Sequence, residues 1–188
     1  VQANRNTHPE ATDAQYDLID TSNDSRWTAT DPGAGDQTLL WVEMKVDQTA
    51  ASITQIDLTF EGLLANGDTT ATGQMYVLKT GTAYETDANW VTVGATLALT
   101  TTDTSFTRSI TSNFTDYIGA NGLLTWALDN NASSTSIVTD YVKTVVTYTP
   151  SPTLTQNHYR WRDDATALNT DGGYLAAEDT LYTPLKKS

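Results

Sequence analysis

The sequence predicts an all-β protein: an antiparallel jelly-roll-like β-sandwich with extended N- and C-terminal segments. Short runs of alternating apolar and polar residues recur about every 8–12 residues, and no stretch shows the helical period. Threonine, which favours strands over helices, supplies 36 of the 188 residues. The longest run, at 136–149, is rich in β-branched residues and contains neither glycine nor proline, so the shorter runs are predicted to pair beside it.

The first half of the predicted sandwich begins with two short strands, at 15–20 and 26–30, separated by a turn-prone Ser-Asn-Asp sequence. A loop containing proline and glycine follows at 31–36. Residues 38–47 place apolar side chains on one face and most charged ones on the other, which predicts an amphipathic strand, and residues 56–61 repeat the pattern. The side chains predicted to face the core from these two strands are Leu40, Val42, Met44, Val46, Ile56, Leu58 and Phe60.

The second half continues the same pattern toward the long run. Strands are predicted at 73–80, 96–101, 106–110 and 124–128. Turn signals at 120–122 and 129–131 separate the later strands, and helix is expected only as about one turn near 114–119.

The chain divides into three predicted parts: a polar N-terminal tail at 1–14, the sandwich at 15–150 and an extension at 151–188. A Pro-Ser-Pro sequence opens the extension, which is too short to bury a core alone. It is predicted to be a donor strand or the start of a second repeat. The donor is either the N-terminal tail or a run that contains Thr180, Leu181, Tyr182 and Leu185. Addition to another copy and completion of the same sheet are equally compatible with the pattern.

Composition excludes several classes of partner and chemistry. Ten basic residues against 23 acidic ones give a net charge of −13, which repels nucleic acid and anionic lipid. The absence of cysteine excludes disulfides, thiolate metal sites and cysteine nucleophiles. No apolar run approaches the roughly 20 residues that a membrane helix requires.

The composition is rich in threonine, asparagine and aspartate and poor in lysine, which favours an extracellular or cell-surface location. Asn23, Asn113 and Asn131 each begin an Asn-X-Ser/Thr sequence, the acceptor of N-linked glycans. Chance occurrence is the favoured explanation of such sequences in a chain with so much asparagine and threonine.

No catalytic constellation is evident, and the protein is predicted not to be an enzyme. The two histidines, His8 and His158, both lie outside the predicted strands. A Ser-His-Asp arrangement requires a rigidly held histidine. The five glutamates fall on outward strand positions or in the tails, where a solvated surface explains them.

Aspartates supply the candidate metal ligands, with Ca²⁺ as the one candidate ion and no other cofactor predicted. Asp140 interrupts the inward set of the long run, and a lone buried carboxylate is costly. A bulge that turns it outward, hydrogen bonds that satisfy it, or a bound cation would each resolve the conflict. Loop residues Asp31, Asp36 and Asp129 offer further oxygen ligands, although none has the spacing of a known calcium loop.

Two tryptophans are candidates for stacking on sugar rings. Trp41 falls on the polar face of its predicted strand, and Trp90 follows a polar sequence that predicts a loop. Exposed aromatic rings beside amides and carboxylates suit carbohydrate binding. The other interpretation, which is favoured, packs Trp41 beneath the second sheet or a tail.

Residues 38–150 resemble a family of secreted jelly-roll domains related to carbohydrate-binding and galactose-binding-like modules. The resemblance rests on Tyr76-Val77, Thr80-Gly81, Asn89-Trp90-Val91, residues 103–110, Asp116-Tyr117-Ile118, Asn121-Gly122-Leu123 and Thr139-Asp140-Tyr141-Val142. Members occur as units of large bacterial or archaeal surface proteins, so the resemblance implies display and adhesion. Residues 157–164 and 175–180 are similar to the opening of another repeat of such proteins.

These observations lead to one functional hypothesis and one alternative. The hypothesis is a non-enzymatic extracellular structural subunit of a surface filament, pilus-like fibre or adhesin, which joins to copies of itself by exchanging strands from its terminal segments. The alternative is a carbohydrate-binding module that binds glycans through Trp90 and Trp41, with Ca²⁺ as a candidate structural ion.

Overall fold

A computed structural model describes residues 11–29, 37–65, 71–133 and 135–150 of the chain, without the side chains of residues 37, 38 and 131–133. The chain consists of two compact units, Val1–Pro150 and Ser151–Ser188. The second unit, including Thr180, Leu181, Tyr182 and Leu185, lies outside the described residues, as do the N-terminal tail up to residue 10 and Asp31 and Asp36.

The described residues form eight strands and a few short helical turns. The strands are β1 (Trp27–Ala29), β2 (Gln37–Lys45), β3 (Ile53–Leu64), β4 (Thr72–Leu78), β5 (Trp90–Ala98), β6 (Thr104–Ile110), β7 (Leu123–Ser133) and β8 (Ile137–Tyr148). The helical elements are one α-helical turn at Asp13–Tyr16 and 3₁₀ turns at Ala50–Ser52, Asp87–Asn89 and Phe114–Asp116. The last of these lies where the sequence predicts a single helical turn.

The strands form two antiparallel sheets, which confirms the predicted jelly-roll-like β-sandwich. Sheet A has the strand order β1-β8-β3-β6, and sheet B has the order β2-β7-β4-β5. In both sheets most hydrogen-bonded neighbours are distant in sequence, so long crossovers rather than simple hairpins build the sandwich.

The core lies between the two sheets and follows the predicted alternation. Trp126 is fully buried at its centre, and its indole N–H donates to the hydroxyl of Thr144, 3.1 Å away, which ties β7 to β8 in the facing sheet. Of the predicted core residues, Leu40, Val46, Ile56, Leu58 and Phe60 are buried, while Val42 and Met44 are partly buried and pack against the same cluster.

The strand predicted at 15–20 is wrong, because this segment begins with helix Asp13–Tyr16. Thr12 and Gln15 form a capping box in which the amide N–H of Thr12 donates to the Gln15 side chain over 2.7 Å. Such a box satisfies backbone groups at the start of a helix, so local hydrogen bonding overrides the weak strand pattern. Within the described residues, no helix has the length and apolar character to span a membrane.

Two further boundaries differ from prediction. β5 begins at Trp90 and not near residue 96, because the left-handed Gly94 (φ 67°) and a register shift opposite Gly73 interrupt the alternation. The turn predicted at 129–131 is wrong because these residues belong to β7. Asp129 pairs with Leu39 on one side and Gln74 on the other, so two partner strands outweigh the local turn preference.

Candidate functional sites

Asp140 sits at a β-bulge in β8. Glu61 of β3 pairs with Tyr141 and the next residue, Gly62, pairs with Thr139, so Asp140 is the extra residue between them. The side chain nevertheless stays buried, with the residue only 1% exposed. The bulge that the sequence offered as one solution is therefore present, but it does not turn the carboxylate into solvent.

Gly62 makes this bulge possible. A Cβ atom at this position would overlap the carbonyl oxygen of Val138 and would lie 2.8 Å from the Cζ atom of Phe60. Only glycine lets the backbone of β8 approach β3 this closely. The bulge is therefore specified by both strands.

Arg26 brings two further carboxylates to the neighbourhood of Asp140. Its Nη2 donates to Asp24 over 2.5 Å and to Asp103 over 2.8 Å. The amide N–H of Ser25 donates to the side chain of Asn23, 2.8 Å away, and this turn presents Asp24 with a left-handed backbone (φ 64°). The hydrogen bond to Asp103 is the largest of the effects that raise the pKa of Arg26 above its ordinary value.

Asp24, Asp103 and Asp140 together form what we call the acidic cluster. Each contributes an oxygen, and these oxygens all lie within 4.8 Å of one another. Three carboxylates face one guanidinium, so their formal charge sum is −2. Asp103 Oδ1, Asp140 Oδ1 and Arg26 Nε are buried and have no hydrogen-bond partner in the described part of the chain.

The sequence identified only one member of this cluster. Asp140 stood out because it interrupts a β-branched run, whereas Asp24 lies in a turn-prone sequence and Asp103 at the start of a strand, both ordinary places for aspartate. Their meeting depends on the pairing of β1 with β8 and of β6 with β3, which brings residues more than a hundred positions apart together.

Asp129, the second predicted metal ligand within the described residues, lies elsewhere. It is on the outward face of β7 in sheet B, and burial raises its pKa to about 6, with the negative charge of Asp87 acting in the same direction. No group of three candidate metal ligands includes Asp129 among the described residues.

The second site is an aromatic cluster formed by Trp41, Tyr84 and Trp90 on the outward face of sheet B. The ring of Trp41 meets that of Trp90 edge to face, with centroids 5.0 Å apart, and meets that of Tyr84 at 5.4 Å. Trp90 is the first residue of β5 and not part of a loop. It is 7% exposed, and its indole N–H donates to the carbonyl oxygen of Tyr84 over 2.8 Å.

The aromatic cluster covers a sheet face that would otherwise be open. Ala127 points away from the core, between the core residues Trp126 and Leu128, yet it is fully buried. Its neighbours on the adjacent strands are Trp41 and Tyr76. The sequence predicted that Trp41 lies on this face. It did not predict that Tyr84 joins it, because Tyr84 lies in the connection between β4 and β5, where no periodic pattern fixes its position.

Polar groups border the aromatic cluster. Asp129 follows Ala127 by two residues on the same face of β7, and its charge contributes, after burial, to raising the pKa of Tyr76. The side chain of Gln74 donates to backbone carbonyls of β4 and β5, including that of Val93 at 3.4 Å. The indole N–H of Trp41 is buried and has no hydrogen-bond partner within the described residues.

The edge of sheet A bears on the predicted strand exchange. β1 pairs only with residues 137–139 of β8, so in the described part of the chain residues 143–148 have a strand partner on one side only. Val145 and Tyr148 in this stretch are 38% and 43% exposed. An edge of this length is a template for another strand.

The predicted glycosylation positions lie in three different settings. Asn23 and Asn113 are exposed, the first in the turn before β1 and the second before the 3₁₀ turn Phe114–Asp116. Asn131 lies within β7, and its side chain is outside the described set. Glycosylation at these positions stays a prediction.

Comparison with known proteins assigns no family and no function to this chain. No family model matches the chain, and no curated protein matches it. Among solved structures, a chain described as "Family 16 Carbohydrate Binding Module-2" is similar over 60% of this chain and 72% of its own length. The two are 18% identical with a TM-score of 0.37, which is too low to bear on a ligand or on any residue of either site.

Proposed function

We propose that this protein is a non-catalytic, extracellular β-sandwich module that binds carbohydrate on the outward face of sheet B. The observation that carries the proposal is the aromatic cluster, which places the half-buried rings of Trp41 and Tyr84 outside the core and beside polar groups. Sugar rings present C–H faces to aromatic side chains and hydroxyls to carboxylates and amides, so such a surface suits both.

Within this proposal the aromatic residues have different roles. Trp90 is too buried to offer a ring face, and its N–H is already used, so it supports the cluster from below. Trp41 and Tyr84 retain exposed ring surface and would contact the sugar. Asp129 and Gln74 lie on the same face and would accept or donate hydrogen bonds.

The charge of the chain narrows the class of glycan. With a net charge of −13, the module repels uronic acids and sulfated sugars at low ionic strength. We therefore expect neutral polysaccharides, with binding that changes little with salt because stacking and hydrogen bonds to neutral hydroxyls are only weakly screened.

The test is affinity electrophoresis against soluble neutral glucans, mannans and xylans, together with pull-down on insoluble cellulose and chitin. Retention is expected for the wild type and loss of most retention for Trp41→Ala and Tyr84→Ala. Tyr148→Ala removes a more exposed aromatic side chain from sheet A and serves as the control. Circular dichroism verifies that each variant is folded. The proposal is rejected if all four proteins are retained equally, or if no glycan retains the wild type.

A second function, assembly through strand exchange between copies, is favoured by the edge of β8. On the side away from β3, residues 143–148 have no strand partner in the described part of the chain, and two exposed apolar side chains accompany this edge. A segment of another copy, such as the run containing Thr180, Leu181, Tyr182 and Leu185, would add to this edge as a further strand.

Self-association measured by light scattering after size exclusion tests this second function. Val145→Lys places a charge at the edge and is expected to abolish concentration-dependent growth in mass. Leu123→Lys alters a similarly exposed apolar residue in sheet B and is expected to leave assembly unchanged. A monomer at all concentrations in the wild type would exclude the strand-exchange function and leave the carbohydrate proposal untouched.

A further inference from the structure

The strongest unexplained feature outside the aromatic cluster is the buried side of the acidic cluster. Asp140 is 1% exposed, its Oδ1 has no hydrogen-bond partner in the described part of the chain, and this carboxylate points toward Asp24 and Asp103. An ionised carboxylate buried without a partner costs several kcal/mol, and real proteins compensate such groups with hydrogen bonds, opposite charge or a metal.

Arg26 provides only part of that compensation. It bonds to Asp103 through Oδ2, while Asp103 Oδ1 is buried and has no hydrogen-bond partner among the described residues. Its other partner is Asp24, and no hydrogen bond from Arg26 to Asp140 is observed. The guanidinium therefore holds one oxygen of Asp103 and leaves the other available to a second cation.

We propose that Asp24, Asp103 and Asp140 form a Ca²⁺ site that ties β8 to the segments preceding β1 and β6. The donors are all carboxylate oxygens, the ligands that hard cations prefer, and no described residue adds a histidine or cysteine ligand that would select a transition metal. A Ca²⁺ ion with ligands at about 2.3–2.6 Å spans oxygens that lie up to about 5 Å apart, which accommodates the observed spread. The ion also balances the charge sum of −2.

The exposure of the three residues indicates how the ion enters. Asp24 is the open side of the site, with 80% of its side chain exposed, while the side chain of Asp103 is 22% exposed and Asp140 is buried. Water on the Asp24 side would complete the six to eight ligands that Ca²⁺ takes. Because Arg26 adds a positive charge next to the ion, we expect weak binding, with a Kd of about 10⁻⁴–10⁻³ M.

The first measurement is thermal unfolding of the full chain in the presence of CaCl₂, with isothermal titration calorimetry for the Kd. At a Ca²⁺ concentration about 100 times the Kd, the Tm should rise by about 5–10 °C. NaCl at equal ionic strength should give no comparable rise, because screening alone does not fill the site. MgCl₂ is expected to act more weakly, because Mg²⁺ gives up its water reluctantly.

The decisive comparison is with Asp140→Asn, which keeps the size of the side chain and removes its charge. Without Ca²⁺ this variant should be at least as stable as the wild type, because a poorly compensated buried charge is gone. With Ca²⁺ the order should reverse, because the variant loses at least about tenfold in affinity. Asp47→Asn, which alters an aspartate whose side chain is 82% exposed, should keep the full Ca²⁺ response.

Asp24→Asn provides the same test at an exposed position where folding is not at risk. A reduced Ca²⁺ response in this variant supports the site. Absence of any Ca²⁺ effect on the wild type, or an equal effect on wild type and both cluster variants, overturns it. These measurements contain no glycan, so their outcome is independent of the function proposed for sheet B.

Discussion

The outward faces of the two sheets are built differently. On sheet A the face is polar and open, with the hydroxyls of Thr59 and Thr107 2.9 Å apart across two strands and the hydroxyl of Ser109 bonded to Asp57. On sheet B the face carries its own apolar cover, and Ala127 and Thr125 beneath it are fully or almost fully buried. Sheet A is therefore packed only on the face that turns toward the core. In sheet B, the central strand β7 is packed on both faces.

This difference explains where each candidate site lies. The acidic cluster lies at the bulge of sheet A, beside the segments that precede β1 and β6, where the cost of burying Asp140 must be balanced by charge. On the covered face of sheet B, the proposed carbohydrate contacts would be made by aromatic rings that their neighbours already hold in place. Substitutions on the two faces should therefore differ in their effects on stability and on pH dependence.

The largest expected effect comes from breaking the bulge of sheet A. Gly62→Ala should lower the free energy of unfolding by about 3 kcal/mol, because the added methyl group meets the backbone of Val138, which cannot move without disturbing the ladder. Gly81→Ala provides the control, since a Cβ there meets no atom within 4 Å and costs about 1–2 kcal/mol through its left-handed backbone alone. Urea unfolding measures both, and equal losses would show that the bulge tolerates a side chain.

A smaller effect should separate the two outward faces directly. Trp41→Ala removes the cover of sheet B and should cost about 2–3 kcal/mol through lost burial and lost edge-to-face contacts. Thr59→Ala on sheet A removes one cross-strand hydroxyl pair and should cost about 0.5 kcal/mol. Equal costs in chemical unfolding would mean that the cover of sheet B contributes nothing beyond an ordinary surface residue.

The smallest effect concerns the pH dependence of sheet B. Burial raises the pKa of Asp129 to about 6 from an ordinary 3.8, so the folded chain ionises this group less readily than the unfolded chain. Its contribution to stability is therefore full below about pH 4 and declines as the pH rises through about 6.

Asp129→Asn removes that decline. The variant should match the wild type near pH 4 and exceed it by about 1 kcal/mol above pH 7, a value reduced for partial solvent exposure of the carboxylate. Unfolding at several pH values measures the difference, with the exposed Asp47→Asn as the control. A constant difference across the range would contradict the effect of burial.

The sequence predicts most of the fold because alternation is local. The strands that contain Leu40, Ile56, Leu58 and Phe60 follow from period-two burial, and the structure confirms their inward faces. The errors arise where a local signal competes with a partner: the capping box at Thr12 replaces a strand, and two flanking strands override the turn predicted at residue 129.

The candidate sites are less accessible to such reasoning because they depend on pairing between distant segments. Asp140 was recognisable as a charge in an apolar run, but its companions Asp24 and Asp103 become neighbours only through the register of sheet A. Similarly, Trp41 was placed on the polar face, whereas its contact with Tyr84 depends on the path of the connection between β4 and β5. A sequence pattern predicts which face of a strand a residue lies on, but it does not predict which residue of another segment it will contact.

The short pairing of β1 has a mechanical consequence. In the described part of the chain, only Trp27, Thr28 and Ala29 pair this strand with β8, so we expect tension applied at the N-terminal side to separate the residue pairs one after another. Arg26, immediately ahead of the strand, donates to Asp103 in the segment before β6, and this ion pair would have to break before the strand pairs separate. The ion pair thus adds resistance to the separation of a strand that has only three residue pairs with its neighbour.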